Sequence, residues 1–548
     1  MFKPLFVAVA LVQAGCAHPS NFTTAEELRK LTQQPKPARA FEAAAIDVPR
    51  FELTGPFGPG AHETATSTGA LLVKSAGRFQ ADGALGCAAR ELSRFTLENG
   101  GNPTSSLKSF VVARCGSTLG HVGTRTLQGP VDDSMSDAEL FAQWQPDLAQ
   151  MIGKLPEQSQ AGFALVRLKG KALATLLYAT PVATLKPLAA ADAEGKVTIE
   201  GTLHKAAEKM QTMINQGALG WADCVHDKAV ALPAFRFVCP TKKDDASAWV
   251  SVGAWEAGRV LGLSAAKVLL FPAGTPVDVY TAPAITTAGP PTVEALVEKL
   301  NGVRSQQGLG PLRLARKQSD TASQLAPYYF SELDDADMVD RIALGLMAGW
   351  DVEGMLSSGS FDGAWAPQPD SGALVSTMLE DPSSRRDLLD PKVTQIAAGM
   401  LVEGNTVGAL ISTYALMPVV DAIEAPKQLI AQLNEARAKL GKGPVEWLAN
   451  PGDFYTTAAK ALLNNDLTPQ QVQKAFMKET LRVTNRPLTA LTQTVSALEK
   501  VEWADDVLAH PAPQVLVFVG VQREKGEAWG HYVVLTILLG GVAGGPQA

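Results

Sequence analysis

The sequence says one thing twice over a long interval. Leu300-Asn301-Gly302-Val303-Arg304-Ser305-Gln306-Gln307-Gly308-Leu309-Gly310-Pro311 returns as Leu433-Asn434-Glu435-Ala436-Arg437-Ala438-Lys439-Leu440-Gly441-Lys442-Gly443-Pro444. Six of the twelve positions are identical without a gap, at a constant offset (434 − 301 and 444 − 311 both give 133). An interval that long exceeds any solenoid period and suits a duplicated whole domain.

The repeated unit has a physical logic. Val293, Leu296, Val297, Leu300 and Val303 recur at three- and four-residue steps, which predicts one buried face of a helix. The glycines stop that helix, and Gly310-Pro311 turns the chain into an extended Leu312-Arg313-Leu314. Each copy closes on a pair of strand-like apolar runs, 393–402 with 407–417 and 514–521 with 531–539. Helix first and hairpin last predict a layered α/β sandwich of about 120 residues.

These residues resemble the CAP superfamily of cysteine-rich secretory, antigen 5 and pathogenesis-related proteins. The family pattern Leu-Asn-x-x-Arg-x-x-x-Gly-Leu-x-Pro-Leu is matched around Asn301 and Arg304, and its small-residue helix by Ser323, Ala326 and Tyr328-Tyr329-Phe330. The family's Ser-Pro-Gly-His-Arg-x-x-Leu-Leu-x-Pro segment is similar to 381–391, followed by a strand that contains Gly399. The likeness covers about 125 residues well and a similar length after them poorly. It implies a cleft with two histidines and two acidic residues, in some members holding a divalent metal. Here Ser384 stands where the second histidine would, Arg385 keeps the arginine, and no histidine lies between His226 and His510. Glu353 alone matches the family's acidic motif. A serine hydroxyl stays protonated near neutral pH and replaces imidazole poorly as ligand or base. The cleft candidates are therefore Glu353, Ser384 and Arg385, with no catalytic residue, metal or cofactor expected.

A chain of 548 residues holds several domains, and 46% hydrophobic with 19% charged residues lets each bury a core. A formal net charge of −7 with no basic run argues against nucleic acid as partner. Lys3, the apolar run 5–12 and Gln13-Ala14-Gly15-Cys16 have the shape of a secretory signal too short to span a membrane. Small residues directly before a cysteine resemble a bacterial lipobox, which makes Cys16 the expected lipidation site, although Gln13 departs from the preferred Leu; Ala17 fits release to the outer membrane. Of the other cysteines, Cys87, Cys115, Cys224 and Cys239 form an even set suited to two bridges in an oxidising compartment. Three pairings are allowed, and proximity favours Cys87 with Cys115 and Cys224 with Cys239.

The expected organisation is a mixed α+β multidomain chain: signal peptide 1–15, lipidated tether 16–50, N-terminal α/β module 51–190, β-sandwich 191–280, linker 281–291, and two tandem CAP-like α/β sandwiches at 292–418 and 424–540. In the N-terminal module a helix after Cys87 and a hairpin around Lys169-Gly170-Lys171 echo the repeated unit and leave open a third, decayed copy. Trp249, Val250 and Val252 are expected in the β-sandwich core, and 467–495 is expected to be mostly helical, interrupted at Pro487. His62-Glu63-Thr64-Ala65-Thr66 lacks the second zincin histidine, and Gly359-Ser360-Phe361-Asp362-Gly363 places Ser one residue too early for a nucleophile elbow. Asp334-Asp335-Asp337 reads as a solvated loop.

Two functional classes remain. One is a non-catalytic envelope lipoprotein, anchored to the membrane by its lipid, that binds a surface protein, glycan or lipid. The alternative is a secreted hydrolase of CAP type, which the missing histidines disfavour. Metabolic labelling with a fatty-acid analogue should mark the wild-type chain and not Cys16→Ala; equal label on both would refute the anchor.

Overall fold

The computed structural model describes residues 9–12, 22–37, 45–46, 48–57, 80–132, 134–153, 159–257, 262–332, 335–418, 420–448, 453–484, 486–523 and 528–540. Cys16, Asp334 and the tail 541–548 lie outside them. The two strand-like runs that close each repeat form hairpins, Gln395–Glu403 with Thr406–Leu416 and Gln514–Arg523 with Gly530–Leu539. Each hairpin is the centre of a sheet. In the first the strand order is Arg313–Leu314, Gln395–Glu403, Thr406–Leu416, Leu356–Ala366, and in the second Glu446–Trp447, Gln514–Arg523, Gly530–Leu539, Leu488–Val495. In both the short first strand runs parallel to its neighbour and the other pairings are antiparallel. The chain visits each sheet in the same order, with helices between the short strand and the far edge and again before the hairpin.

The same plan appears a third time, near the N-terminus, so that in chain order the first unit carries the sheet of 80–179, the second that of 313–416 and the third that of 446–539. Gln80–Ala81, Gln160–Leu168, Lys171–Ala179 and Gly123–Pro130 stand in that spatial order, the first pair parallel and the rest antiparallel. The helix Gly83–Asn99 follows the short strand here as Arg316–Ser331 and Asp453–Leu463 do in the later units. A glycine lets the helix lie close on the strand in two of them: a Cβ on Gly399 would sit 2.1 Å from Ala322, and one on Gly162 would sit 2.1 Å from Gly86. The Lys169-Gly170 turn has positive φ at both residues (51° and 71°), the conformation that matches the twist of a two-residue hairpin.

The motif that betrays the repeat is a structural staple. Asn301 bonds the backbone of Leu312 in both directions, N–H to Oδ1 at 2.8 Å and Nδ2–H to the carbonyl at 3.1 Å; Asn434 does the same with Val445 at 2.8 and 3.1 Å. Arg304, 1% exposed, donates to the carbonyls of Gly310, Leu388, Asp390 and Val393. Arg437, 4% exposed, donates to those of Gly443, Val507, Leu508 and His510. Among the described residues neither arginine bonds a carboxylate. Each instead gathers backbone carbonyls from two loops that no ladder or helix satisfies.

Between the first two units lies the β-sandwich, two four-stranded sheets centred on Lys196–Leu203 with Ala234–Pro240 and on Lys209–Gln216 with Ala248–Trp255. Val250 and Val252 fill its core with Ile199 and Phe235. Trp249 does not: strand alternation turns it to the other face, where it joins the core of the N-terminal unit. Both expected bridges form, Cys87–Cys115 and Cys224–Cys239.

Several expected boundaries move. Ala183–Leu185 pairs into the sandwich, and Val279–Thr281 pairs back onto Arg50–Glu52 beside the N-terminal unit. The 281–291 stretch is held rather than free, since Ser376 Oγ accepts from Ile285 N and Asp370 from Gly289 N, both at 3.0 Å. Residues 16–50 are not a bare tether either. The helix Ala25–Thr32, capped by Thr24 and Glu27, buries Leu28 and Leu31 against Leu325, Ile342 and Leu346 of the second unit. Tyr328 and Trp350 bond its flanking carbonyls, those of Gln34 and Thr23. Within the apolar N-terminal run, Val9–Val12 pairs as a parallel edge strand on Ala490–Gln493. Finally, 488–495 is a strand rather than helix: after Pro487 the alternation of Leu488, Ala490 and Thr492 toward one face suits a sheet.

Removing the Arg304 guanidinium takes the side-chain donor from four carbonyls, of which those of Leu388 and Val393 are buried. Arg304→Met should destabilise the second unit by about 3–5 kcal/mol. Arg304→Lys should recover less than half, because an ammonium cannot fan out to carbonyls on two loops. Denaturant midpoints of the variants against wild type check both.

Candidate functional site

The second unit contains an acidic pocket of ≈ 350 Å³ between the strand Leu356–Ala366 and the helix Pro382–Leu389. Asp362, Asp381, Asp387 and Ser384 supply its polar wall, and Phe361 and Trp365 its aromatic one. Local sequence builds each part. Asp381 caps the helix, accepting from Ser383 N at 2.9 Å and Ser383 Oγ at 2.7 Å, with Pro382 at the first helical position. One turn on, the same helix carries Ser384 and Asp387. Asp362 faces them from the strand.

The three carboxyls are held in different states. Burial works against ionising Asp381, but the charge of Lys267, 3.2 Å away, and the Ser383 hydrogen bonds outweigh it, so the group sits below its ordinary value. Burial raises Asp387, and the neighbouring Arg386, paired at 2.7 Å, offsets this only in part. Asp362 has no cation beside it among the described residues. Burial pushes it up to about 7, against the hydrogen bonds of Ser384 and Gly363, and the charges of Asp381 and Asp387 push the same way. One of its carboxylate oxygens is buried with no partner among the described residues.

The third unit provides an internal control. Arg304 reaches the carbonyls of Leu388 and Asp390, and Arg437 reaches those of Leu508 and His510, so positions here correspond at an offset of 120 (508 − 388, 510 − 390). Asp381, Ser384 and Asp387 then become Val501, Ala504 and Val507. Val501 and Val507 belong to the apolar core of the third unit, and Ala504 packs against it. The same fold closes without the counterparts of Asp381 and Asp387.

Of the three sequence candidates the structure brings only Ser384, 9% exposed, into this pocket. Arg385 turns away. It donates to Leu379 O in its own unit and, at 3.0 Å each, to Gly217 O and Gly220 O of the β-sandwich, which ties the two together. Glu353 is exposed on a separate turn, where its carbonyl accepts from Gln395 Nε2 at 2.8 Å. His510 is engaged locally: its ring bonds the Thr489 hydroxyl at 3.2 Å, and Nδ1 accepts from Ala512 N. Asp335 caps the helix Ala336–Ala348 through Asp337 N and Met338 N. No three His, Cys, Asp or Glu side chains gather as metal ligands among the described residues. None of the pocket's three acids is a sequence candidate, and Asp362 is the one outside the family-like segment. Its signal was an aspartate within an otherwise apolar and glycine-rich strand.

A larger groove of ≈ 790 Å³ runs between the second and third units, lined by Arg313, Lys392, Leu416, Gln432, Leu498 and Tyr532. Its one charge pair, Lys392 with Glu499 at 3.7 Å, is solvent-exposed and worth little. Leu356 N donates to Ala528 O and Trp529 Nε1 to Ala348 O beside it, which fixes the two units edge to edge.

Comparison with known proteins adds two partial likenesses. A cysteine-rich secretory protein from Staphylococcus aureus is 15% identical, with 42% of this chain and 87% of that one covered at a TM-score of 0.19. An extracellular protein containing an SCP domain from Bacillus anthracis is 13% identical, with 42% of this chain and 68% of that one covered at a TM-score of 0.17. No protein-family model and no curated protein matches the chain. Among the described residues no helix is long and apolar enough to cross a membrane.

The raised Asp362 carboxyl makes a stability prediction. In the folded chain the protonated form is favoured, so stability is lost as pH rises from 3.8 toward about 7. Asp362→Asn should therefore match wild type near pH 4 and exceed it above pH 7 by on the order of 2 kcal/mol. Thermal midpoints at the two pH values check the difference between variants; an equal or negative difference at pH 8 would contradict it.

Proposed function

We propose that the chain is an extracytoplasmic, lipid-anchored binding protein built on three CAP-like units, and that it recognises a surface component through the acidic pocket of the second. The observation that carries this reading is the pocket's composition. Three carboxylates, a serine and two aromatic rings line it where a CAP cleft would use imidazoles, and the third unit has valines at the positions of Asp381 and Asp387. Buried acids that the fold does not need are kept for what enters the pocket. Carboxylates beside aromatic faces suit an amine or other cation, which would restore the charge balance that Asp362 lacks. The resemblance and the shared strand order support the family, and the two disulfides support an oxidising compartment.

A hydrolase is the second reading, and one observation favours it: a carboxyl near neutral pKa is suited to general acid–base work. The two readings separate on one experiment. The full chain, immobilised and exposed to solubilised envelopes, should retain an amine-bearing component at pH 8 and release it at pH 5.5, since a bound cation requires ionised carboxyls. Asp387→Asn and Asp362→Asn should each weaken retention about tenfold or more. Turnover of envelope peptides or glycans that disappears in Asp362→Asn would instead establish the hydrolase.

A further inference from the structure

We propose that a second, cationic pocket, where the N-terminal unit meets the β-sandwich, binds a phosphate group. The helix Ser105–Arg114 turns Ser105, Lys108, Ser109 and Val112 toward a cavity of ≈ 150 Å³. Positions i, i+3, i+4 and i+7 form one continuous helical face. Trp249 and Lys267 of the β-sandwich also line the cavity.

The charges in this cavity are not balanced. Lys267 is answered by Asp381 at 3.2 Å and lies 4.9 Å over the Trp249 ring. Glu380, the other nearby acid, interacts with Ser106, Lys267 and Trp249. Lys108 has no such partner: its ammonium makes no hydrogen bond or ion pair among the described residues. Burial alone pulls it down to about 8. An ammonium desolvated without a counter-ion costs stability, and an anion entering the cavity would remove that cost.

The remaining donors select the anion. Ser105 and Ser109 bring hydroxyls from the same helix flank that carries Lys108. The Lys108 ammonium and the two hydroxyls lie on the helix wall and Lys267 on the sandwich wall, which offers donors to more oxygens than a planar carboxylate carries. The cavity is small, so the phosphate is either free or the end of a larger molecule whose remainder lies outside. Ser105 also lines the acidic pocket, so the two cavities adjoin. A phosphate ester carrying an amine could therefore occupy both; this extension, unlike the phosphate site itself, rests on the binding function proposed above.

The test is thermal unfolding of the full chain at pH 7 and constant ionic strength, with inorganic phosphate, O-phosphoethanolamine or acetate at 10 mM. Inorganic phosphate should raise the midpoint by about 2–4 °C and acetate by much less. In Lys108→Met the phosphate shift should vanish while the midpoint without ligand stays equal or rises, because a half-buried charge without a counter-ion has gone. Equal shifts from the two phosphates would identify free phosphate as sufficient. A larger shift from phosphoethanolamine, reduced by Asp387→Asn, would identify the amine ester. Failure of that last arm alone would sink the extension and leave the phosphate site standing. No phosphate shift in wild type, an undiminished shift in Lys108→Met, an equal shift from acetate, or a lower unliganded midpoint in Lys108→Met would each overturn the site.

Discussion

A buried guanidinium without a carboxylate holds each C-terminal unit in register. Arg304 and Arg437 stand at the ends of the helices Val293–Gln306 and Glu424–Lys439, where a glycine-rich loop must turn back beneath the sheet. That loop and the one before the hairpin expose carbonyls that neither ladder nor helix can satisfy. A planar fork of five donors reaches both loops at once, and no other side chain offers that geometry. The neighbouring asparagine closes the turn by imitating a backbone pair with the residue eleven positions on. Burial of a cation without a counter-ion is costly in general. Here desolvation does depress the Arg304 pKa, with Asp390 acting the other way, yet the guanidinium remains charged at any physiological pH.

This explains why the repeat was legible. Asn and Arg recur at one spacing because the backbone they serve has one shape, so the chemistry is written in twelve consecutive residues. The hairpins were equally plain, since apolar runs around a glycine turn are a local pattern. What was not legible depends on contacts between distant segments. Trp249 belongs to a different core from Val250 because another unit covers the far face of its strand, and period-two alternation gives the face but not its occupant. Leu28 and Leu31 sit in a short amphipathic helix that composition reads as tether, because its burial depends on Tyr328 and Trp350 some 300 residues away, at separations of 294 and 327. The N-terminal sheet was only an echo in the sequence, since its unit keeps the strand order and lacks the Asn–Arg staple.

The acidic pocket illustrates the same division. Asp381 and Asp387 lie in the segment that matches the family motif, and their nearness to Ser384 follows from helical spacing. Asp362 comes from a strand some 20 residues earlier and meets them only through packing. Motif matching also joined Arg385 to Ser384 as neighbours in one cleft. Adjacent helical residues point about 100° apart, and the arginine spends its donors on the β-sandwich instead.

Lys267 shows how the units depend on one another. Its backbone N–H bonds Thr118 O of the N-terminal unit, its ammonium pairs with Asp381 of the second, and it lies over Trp249 of its own sandwich. One side chain thus sets the ionisation of Asp381 on one side and closes the Lys108 cavity on the other. Had the units been joined by free linkers, Asp381 would lose its cation and titrate more like Asp362, and the cationic cavity would open to water. The pockets are consequently properties of the assembled chain rather than of any single unit.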